Sequence, residues 1–168
     1  MKIRLAGLEN DSIVDGPGYR LSVFTQGCPH HCEGCHNPES HDFNGGRDYD
    51  TDEIIAKMAG NPLLSGVTLS GGEPMCQSAA CAVIAEAAHK AGLNVWCYTG
   101  YTWEQLWKEA DPERLKLIRA ADVLVDGPFI LAERSLELTF CGSRNQRLID
   151  VPKSLEAGKP VIWKKPEW

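Results

Sequence analysis

The sequence predicts an α/β protein built on a parallel sheet that is open, or closed only part of the way round. Three observations predict it. Strand-like and helix-like segments alternate along the chain, as right-handed βαβ units require. Most of the strand-like segments are short, apolar and followed directly by a Gly-, Pro- or polar-rich turn. The chain has 168 residues, enough for one domain spanning 1–168, but its strands are too few for a closed eight-stranded barrel.

The first strand is Tyr19–Thr25, alternating in character and entered through the turn Asp15-Gly16-Pro17-Gly18. Gln26 to Asp50 shows no periodicity and reads as one long polar loop. From Asp52 the period becomes helical, with Ile54, Ile55, Met58 and Ala59 on one face and Asp50 and Glu53 spaced like a capping box. Gly66–Ser70 is a buried strand ending in Gly71-Gly72-Glu73-Pro74, and a second helix follows with Ala80, Val83, Ile84, Ala87, Ala88 and Ala91 on one face, stopped by Gly92. Asn94–Thr99 is a strand. Thr102 and Gln105 cap a helix through Trp107, and Asp111-Pro112 opens another through Ala121. Asp122–Asp126 is the fourth strand, with Arg147–Val151 and Pro160–Trp163 as further candidates.

Hydrophobic residues make up 43% and charged residues 24% of the chain, which suits a soluble globular protein and not a disordered one. A net charge of −6 argues against a nucleic-acid partner. No apolar run is long enough for a membrane span, and Met1-Lys2-Ile3-Arg4 does not read as a signal peptide, so the expected location is cytoplasmic. Seven cysteines are the outlier. An odd number cannot pair completely, and a reducing compartment would keep them as thiols. Cys76, Cys81, Cys97 and Cys141 are scattered and read as small buried residues.

Cys28, Cys32 and Cys35 form a Cys-x3-Cys-x2-Cys array. Three thiolates on one compact loop suit three corners of an iron–sulfur cubane, leaving one iron free for another ligand. The alternative on these residues alone is a structural zinc site completed by His30, His31 or His36. In parallel α/β proteins, sites gather at the carboxyl ends of strands. The cysteine loop, Gly71–Pro74, Thr99-Gly100 and Asp126-Gly127 all directly follow strands and therefore share one rim. Asp15, Gly16 and Gly18 read as turn formers, Thr99 and Asp126 as either caps or site groups, and Trp103, Trp107 and Trp163 as core or docking residues. Arg144 and Arg147 read as solvated surface.

The cysteine array followed by Gly-Gly-Glu-Pro resembles the radical S-adenosylmethionine (SAM) superfamily. Ser12–Arg20, Phe24-x-Gln26-Gly27-Cys28 and Gly34–Glu39 are similar to the glycyl-radical activating enzymes. The stretch Asp122–Phe129, with Gly142-Ser143-x-Asn145-Gln146-Arg147 and Ile149-Asp150, narrows the resemblance to the branch that activates anaerobic ribonucleoside-triphosphate reductase. The match runs from Asp11 to Val151. It implies a partial (open) parallel β/α barrel of the radical SAM type, and a 4Fe-4S cluster on Cys28, Cys32 and Cys35. It further implies SAM held by Gly34, Cys35, His36 and Gly72, with Gly71 and Glu73 beside them and no catalytic side chain beyond cluster and SAM. Reductive cleavage of SAM would give a 5′-deoxyadenosyl radical that takes hydrogen from a glycine of the partner. The implied partners are the large subunit of that reductase and, as electron donor, flavodoxin or ferredoxin. The residue before the third cysteine, commonly aromatic in the superfamily, is Gly34, so His36 becomes the first candidate face for adenine. The competing expectations are an activase of another glycyl-radical enzyme such as pyruvate formate-lyase, and a zinc-stabilised binding module without catalysis.

Overall fold

The computed structural model describes residues 1–165. Its elements are β1 (Lys2–Ser12), β2 (Arg20–Thr25), β3 (Arg47–Asp50), α1 (Thr51–Ala59), β4 (Gly66–Gly71), α2 (Ser78–Lys90), β5 (Asn94–Tyr98), α3 (Trp103–Glu109), α4 (Pro112–Ala120), β6 (Val123–Asp126), β7 (Arg147–Asp150) and α5 (Val151–Ala157). The strands form one sheet in the order β3-β1-β2-β4-β5-β6-β7. The central strands β2, β4, β5 and β6 are parallel, and β1, β3 and β7 are antiparallel to their neighbours. The sheet is therefore mixed, which corrects the all-parallel expectation. The reason is connectivity. Helices cross over between β4, β5 and β6, whereas β1 turns directly into β2 and β6 reaches β7 without one, and such returns pair antiparallel.

Two strands and one helix go beyond the sequence expectation. β1 buries Ile3 and Leu5 but loses its alternation at register shifts after Leu5 and Glu9. β3 is a polar edge strand within the stretch expected to be loop, paired to β1 through Lys2↔Asp50 to Leu5↔Arg47. α5 starts at Val151, with Pro152 in its first turn, after its cap Asp150, which accepts from Lys153 N. Pro160–Trp163 contributes only the isolated bridge Ile149↔Ile162.

The helix caps follow side-chain chemistry. Thr102 and Gln105 form the full reciprocal box on α3, and Asp111 accepts from Glu113 N and Arg114 N at the start of α4. Asp50 caps α1 through Asp52 N at 2.9 Å; among the described residues Glu53 makes no return bond. The helices cover one sheet face, where Leu21, Val23, Val67, Leu69, Val95, Cys97, Leu124 and Ile149 are wholly buried against residues such as Ile54, Ile84 and Leu117. No described helix is long and apolar enough to cross a membrane.

Candidate metal and cofactor site

The loop after β2 is held by its own backbone. Gly27 N donates to Ser40 O at 2.6 Å and Cys28 N to His41 O at 3.1 Å, so residues 28–41 leave and return to one point. Gln26 Nε2 fastens the far end by donating to Glu39 O and Asp42 O. The loop is also tied to the end of β4, because Gly72 N donates to Thr25 O at 2.7 Å and Glu73 N to Gly27 O at 2.8 Å. This approach demands glycine at Gly71 and Gly72. A Cβ on Gly71 would run into the Phe24–Thr25 backbone, where Gly71 also takes φ +92°, and one on Gly72 would meet Gly27 O.

Between these segments opens a cleft of about 130 Å³ lined by Cys28, Cys32, Cys35, Gly71, Gly72 and Thr99, with further groups from β5 and β6. All three thiols are free. Burial pushes the Cys28 thiol up to about 11, against the pull of the His30 and His31 backbone N–H groups aimed at its sulfur. Cys35 Sγ accepts from Asn37 N at 3.4 Å. Cys35 Sγ thus already receives a backbone N–H bond, and the His30 and His31 N–H groups favour the thiolate at Cys28, the environment that suits thiolates on an iron–sulfur cluster. Among the described residues no three His, Cys, Asp or Glu side chains close on a single-ion position. A cubane does not need them to, since each corner takes its own thiolate. The donor set therefore fits the cluster.

The remaining sequence candidates divide. Glu73 is fully buried behind the cleft wall. Its Oε1 accepts from Thr99 Oγ1 at 2.9 Å and Gly100 N at 2.8 Å, and lies 2.6 Å from His30 Nε2; its Oε2 accepts from Met75 N at 3.0 Å. Gly34 and His36 stand outside the cleft lining. Gly34 faces Leu131 and Phe129, and the His36 ring meets Phe129 edge-on with centroids 5.6 Å apart. Asp126 is buried inside the fold, accepting from Trp103 N at 2.8 Å and pairing with Arg147 at 2.5 Å. Arg147, expected as solvated surface, is half-buried and also reaches Glu104 at 2.7 Å; Arg144 is exposed.

Asp15 sits at the opposite end of the strands. Its carboxylate accepts from Ser12 and Ser22 hydroxyls, both at 2.8 Å, and Gly18 adopts φ +73° in the same turn, so the turn reading holds. Trp103 is buried, and Trp163 packs on Trp96 with centroids 5.0 Å apart. Cys81 and Cys97 are buried, and Cys76 and Cys141 half-buried. Sequence reasoning weighed His30 only as a zinc ligand and missed Tyr98, Phe129 and Gln146 as lining groups. Phe129 ends the Asp122–Phe129 stretch that carries the resemblance, but no periodicity gives its direction.

With this geometry in view, the comparisons place the chain. A family described as a 4Fe-4S single cluster domain matches residues 14–149, so a cluster-domain protein is the class. Relatives named anaerobic ribonucleoside-triphosphate reductase-activating protein narrow it. The one from Vibrio cholerae is 35% identical over 145 residues, covering 80% of this chain and 89% of the relative. Those from Escherichia coli K12 and Enterobacteria phage T4 are each 30% identical, covering 80% of this chain and 90% and 86% of the relatives. The chain belongs to the family of anaerobic ribonucleoside-triphosphate reductase-activating proteins. Among solved structures, that of QueE from Escherichia coli aligns with a TM-score of 0.49 at 15% identity, over 61% of this chain and 54% of that one, a likeness that carries no argument.

Proposed function

We propose that this chain, as one domain over 1–168 and a partial β/α barrel of the radical SAM type, activates anaerobic ribonucleoside-triphosphate reductase. Cys28, Cys32 and Cys35 would hold a 4Fe-4S cluster in the cleft, with SAM beside it along the Gly71-Gly72 edge. A bound cluster would supply the electron that breaks the S–C5′ bond of SAM, releasing methionine and a 5′-deoxyadenosyl radical that would take a hydrogen atom from a glycine of the reductase large subunit and leave as 5′-deoxyadenosine. The observation carrying this reading is that three free thiols on one self-closed loop share a cleft with a glycine edge that admits no side chain.

The protein's own task is placement. Bringing the reacting groups into one fixed geometry removes most of the entropic cost of their meeting. The buried position of Cys28 keeps water from one corner of the site. Gly71 and Gly72 let the end of β4 close against the cysteine loop, so that backbone of both segments would border a small ligand in the cleft. Gly34 and His36 lie against Phe129, which lines the cleft, and would face the adenine side of SAM from there. A low-potential donor of the flavodoxin or ferredoxin class would reduce the cluster.

The test is anaerobic mixing of the reduced, cluster-loaded protein with SAM and the reductase large subunit, with pyruvate formate-lyase as the control partner. A glycyl-radical EPR doublet on the reductase alone is the expected result. An intact cluster with no doublet contradicts the proposal, and a doublet only on pyruvate formate-lyase reassigns the partner.

A further inference from the structure

Among the described residues, His30 carries the one side chain of the Cys28–Cys35 segment that hydrogen-bonds to another strand end, and its partner is Glu73. The roles in that bond follow from the other partners of the carboxylate. Gly100 N and Met75 N can only donate, so both Glu73 oxygens act as acceptors. Thr99 Oγ1 accepts from Tyr101 N at 3.1 Å and donates its own O–H to Oε1. His30 Nε2, at 2.6 Å from Oε1, is then the fourth donor. A carboxylate offers about four lone-pair directions, and this one meets four donors from its own chain while wholly buried. Three of these donors converge on Oε1 and one meets Oε2, and with the side chain wholly out of solvent no part of the carboxylate is open to the cleft for the ammonium group of a ligand.

The imidazole is fixed on its other sides as well. A Cβ on Gly100 would lie 2.5 Å from His30 Cδ2, so the ring packs directly on that backbone. Tyr101 meets the ring edge-on with centroids 4.6 Å apart. Arg114 stacks over Tyr101 at 4.9 Å and donates from Nε to Met75 O at 3.1 Å. His30, Glu73, Met75, Arg114 and Tyr101 therefore close a circuit that joins the cysteine loop to the ends of β4 and β5.

We infer that His30 and Glu73 act as a clasp, both being positioning residues: Glu73 serves the SAM site through His30 and not by touching SAM. His30 stands two residues from Cys28 and two from Cys32 in the sequence, so the place of its ring sets where both thiols stand relative to the Gly71-Gly72 edge. The inference rests on the reading that this cleft holds the cluster and SAM.

The test compares the cluster-reconstituted parent with His30→Ala, which removes the donor, and His30→Gln, whose amide N–H can still reach Glu73. The readouts are iron and sulfide content, SAM affinity by equilibrium dialysis, and far-UV circular dichroism as a check on fold. A hydrogen bond to a charged group is worth roughly 1.5–3 kcal/mol, so His30→Ala should bind SAM at least about tenfold more weakly or lose the cluster, with His30→Gln recovering most of the loss. Parent-like iron and SAM binding in His30→Ala overturns the clasp, as does His30→Gln failing as badly as His30→Ala. A parent that takes up no cluster or no SAM defeats the functional reading itself, and the clasp falls with it.

Discussion

Along β2, Leu21 and Val23 turn into the helices while Arg20 and Ser22, their sequence neighbours, turn to the opposite face. The alternation continues in β4, where Val67 and Leu69 flank Thr68, and in β5, where Val95 and Cys97 flank Trp96. The helix-covered face is apolar throughout and owes its stability to burial. The other face is just as dry but chemically different, since Arg20, Ser22 and Thr68 are all fully buried. Arg20, Ser22 and Thr68 each have partners there, whereas the buried Asn94 Oδ1 on the same face has none among the described residues. Arg20 donates to Thr68 Oγ1 at 2.7 Å, Pro17 O at 2.9 Å and Val67 O at 3.0 Å, while burial lowers its guanidinium to about 10. Two residues further up the strands this face reaches Ser70 and Tyr98, which line the cleft. One face supplies mass and the other a bonded scaffold, and the site grows from the scaffold.

Perturbing each side separately tests that division. The largest effect on function should come from the loop: Cys32→Ala should keep the circular dichroism of the parent and lose SAM cleavage to background, whereas persistent cleavage would break the ligand assignment. The largest effect on stability belongs to the helix-covered face. Leu69→Ala should cost about 2–5 kcal/mol in urea unfolding and leave cluster uptake unchanged wherever the protein remains folded. Glu73→Gln places an amide N–H₂ against groups that can only donate, so the cluster-free protein should lose about 1–3 kcal/mol. An unaltered urea midpoint there would show that the carboxylate is not committed to its own chain.

The smallest expected effect is alkaline. Burial raises the Cys28 thiol to about 11 and pushes Cys81 and Cys97 up as well. The folded, cluster-free chain thus keeps protons that the unfolded chain releases above the ordinary cysteine range of about 8.5. Its stability should be full below that range and fall as pH rises toward about 11. Urea midpoints measured across that interval check the sign, and a midpoint rising with pH would contradict it. Replacing Cys81 and Cys97 by alanine should flatten the slope.

Much of this was legible in the sequence, for local reasons. The Thr102–Gln105 box, the Asp111 cap and the four central strands depend on nearest neighbours and period, and they form where those signals place them. β1 was hidden because its register shifts break the period, and β3 because a polar edge strand gives no apolar alternation. The cysteine spacing marked the site, but the direction of Glu73 and the half-buried pairing of Arg147 depend on strands far apart in sequence. A buried carboxylate and an exposed one read alike in one dimension.

The central claim is that Cys28, Cys32 and Cys35 bind a 4Fe-4S cluster by three corners and leave the fourth open to SAM. Anaerobic EPR of the reduced, cluster-loaded protein with and without SAM tests it most directly. A change of g-values on adding SAM is the predicted result. Identical spectra, at SAM concentrations that saturate binding, would mean that the fourth corner is already filled.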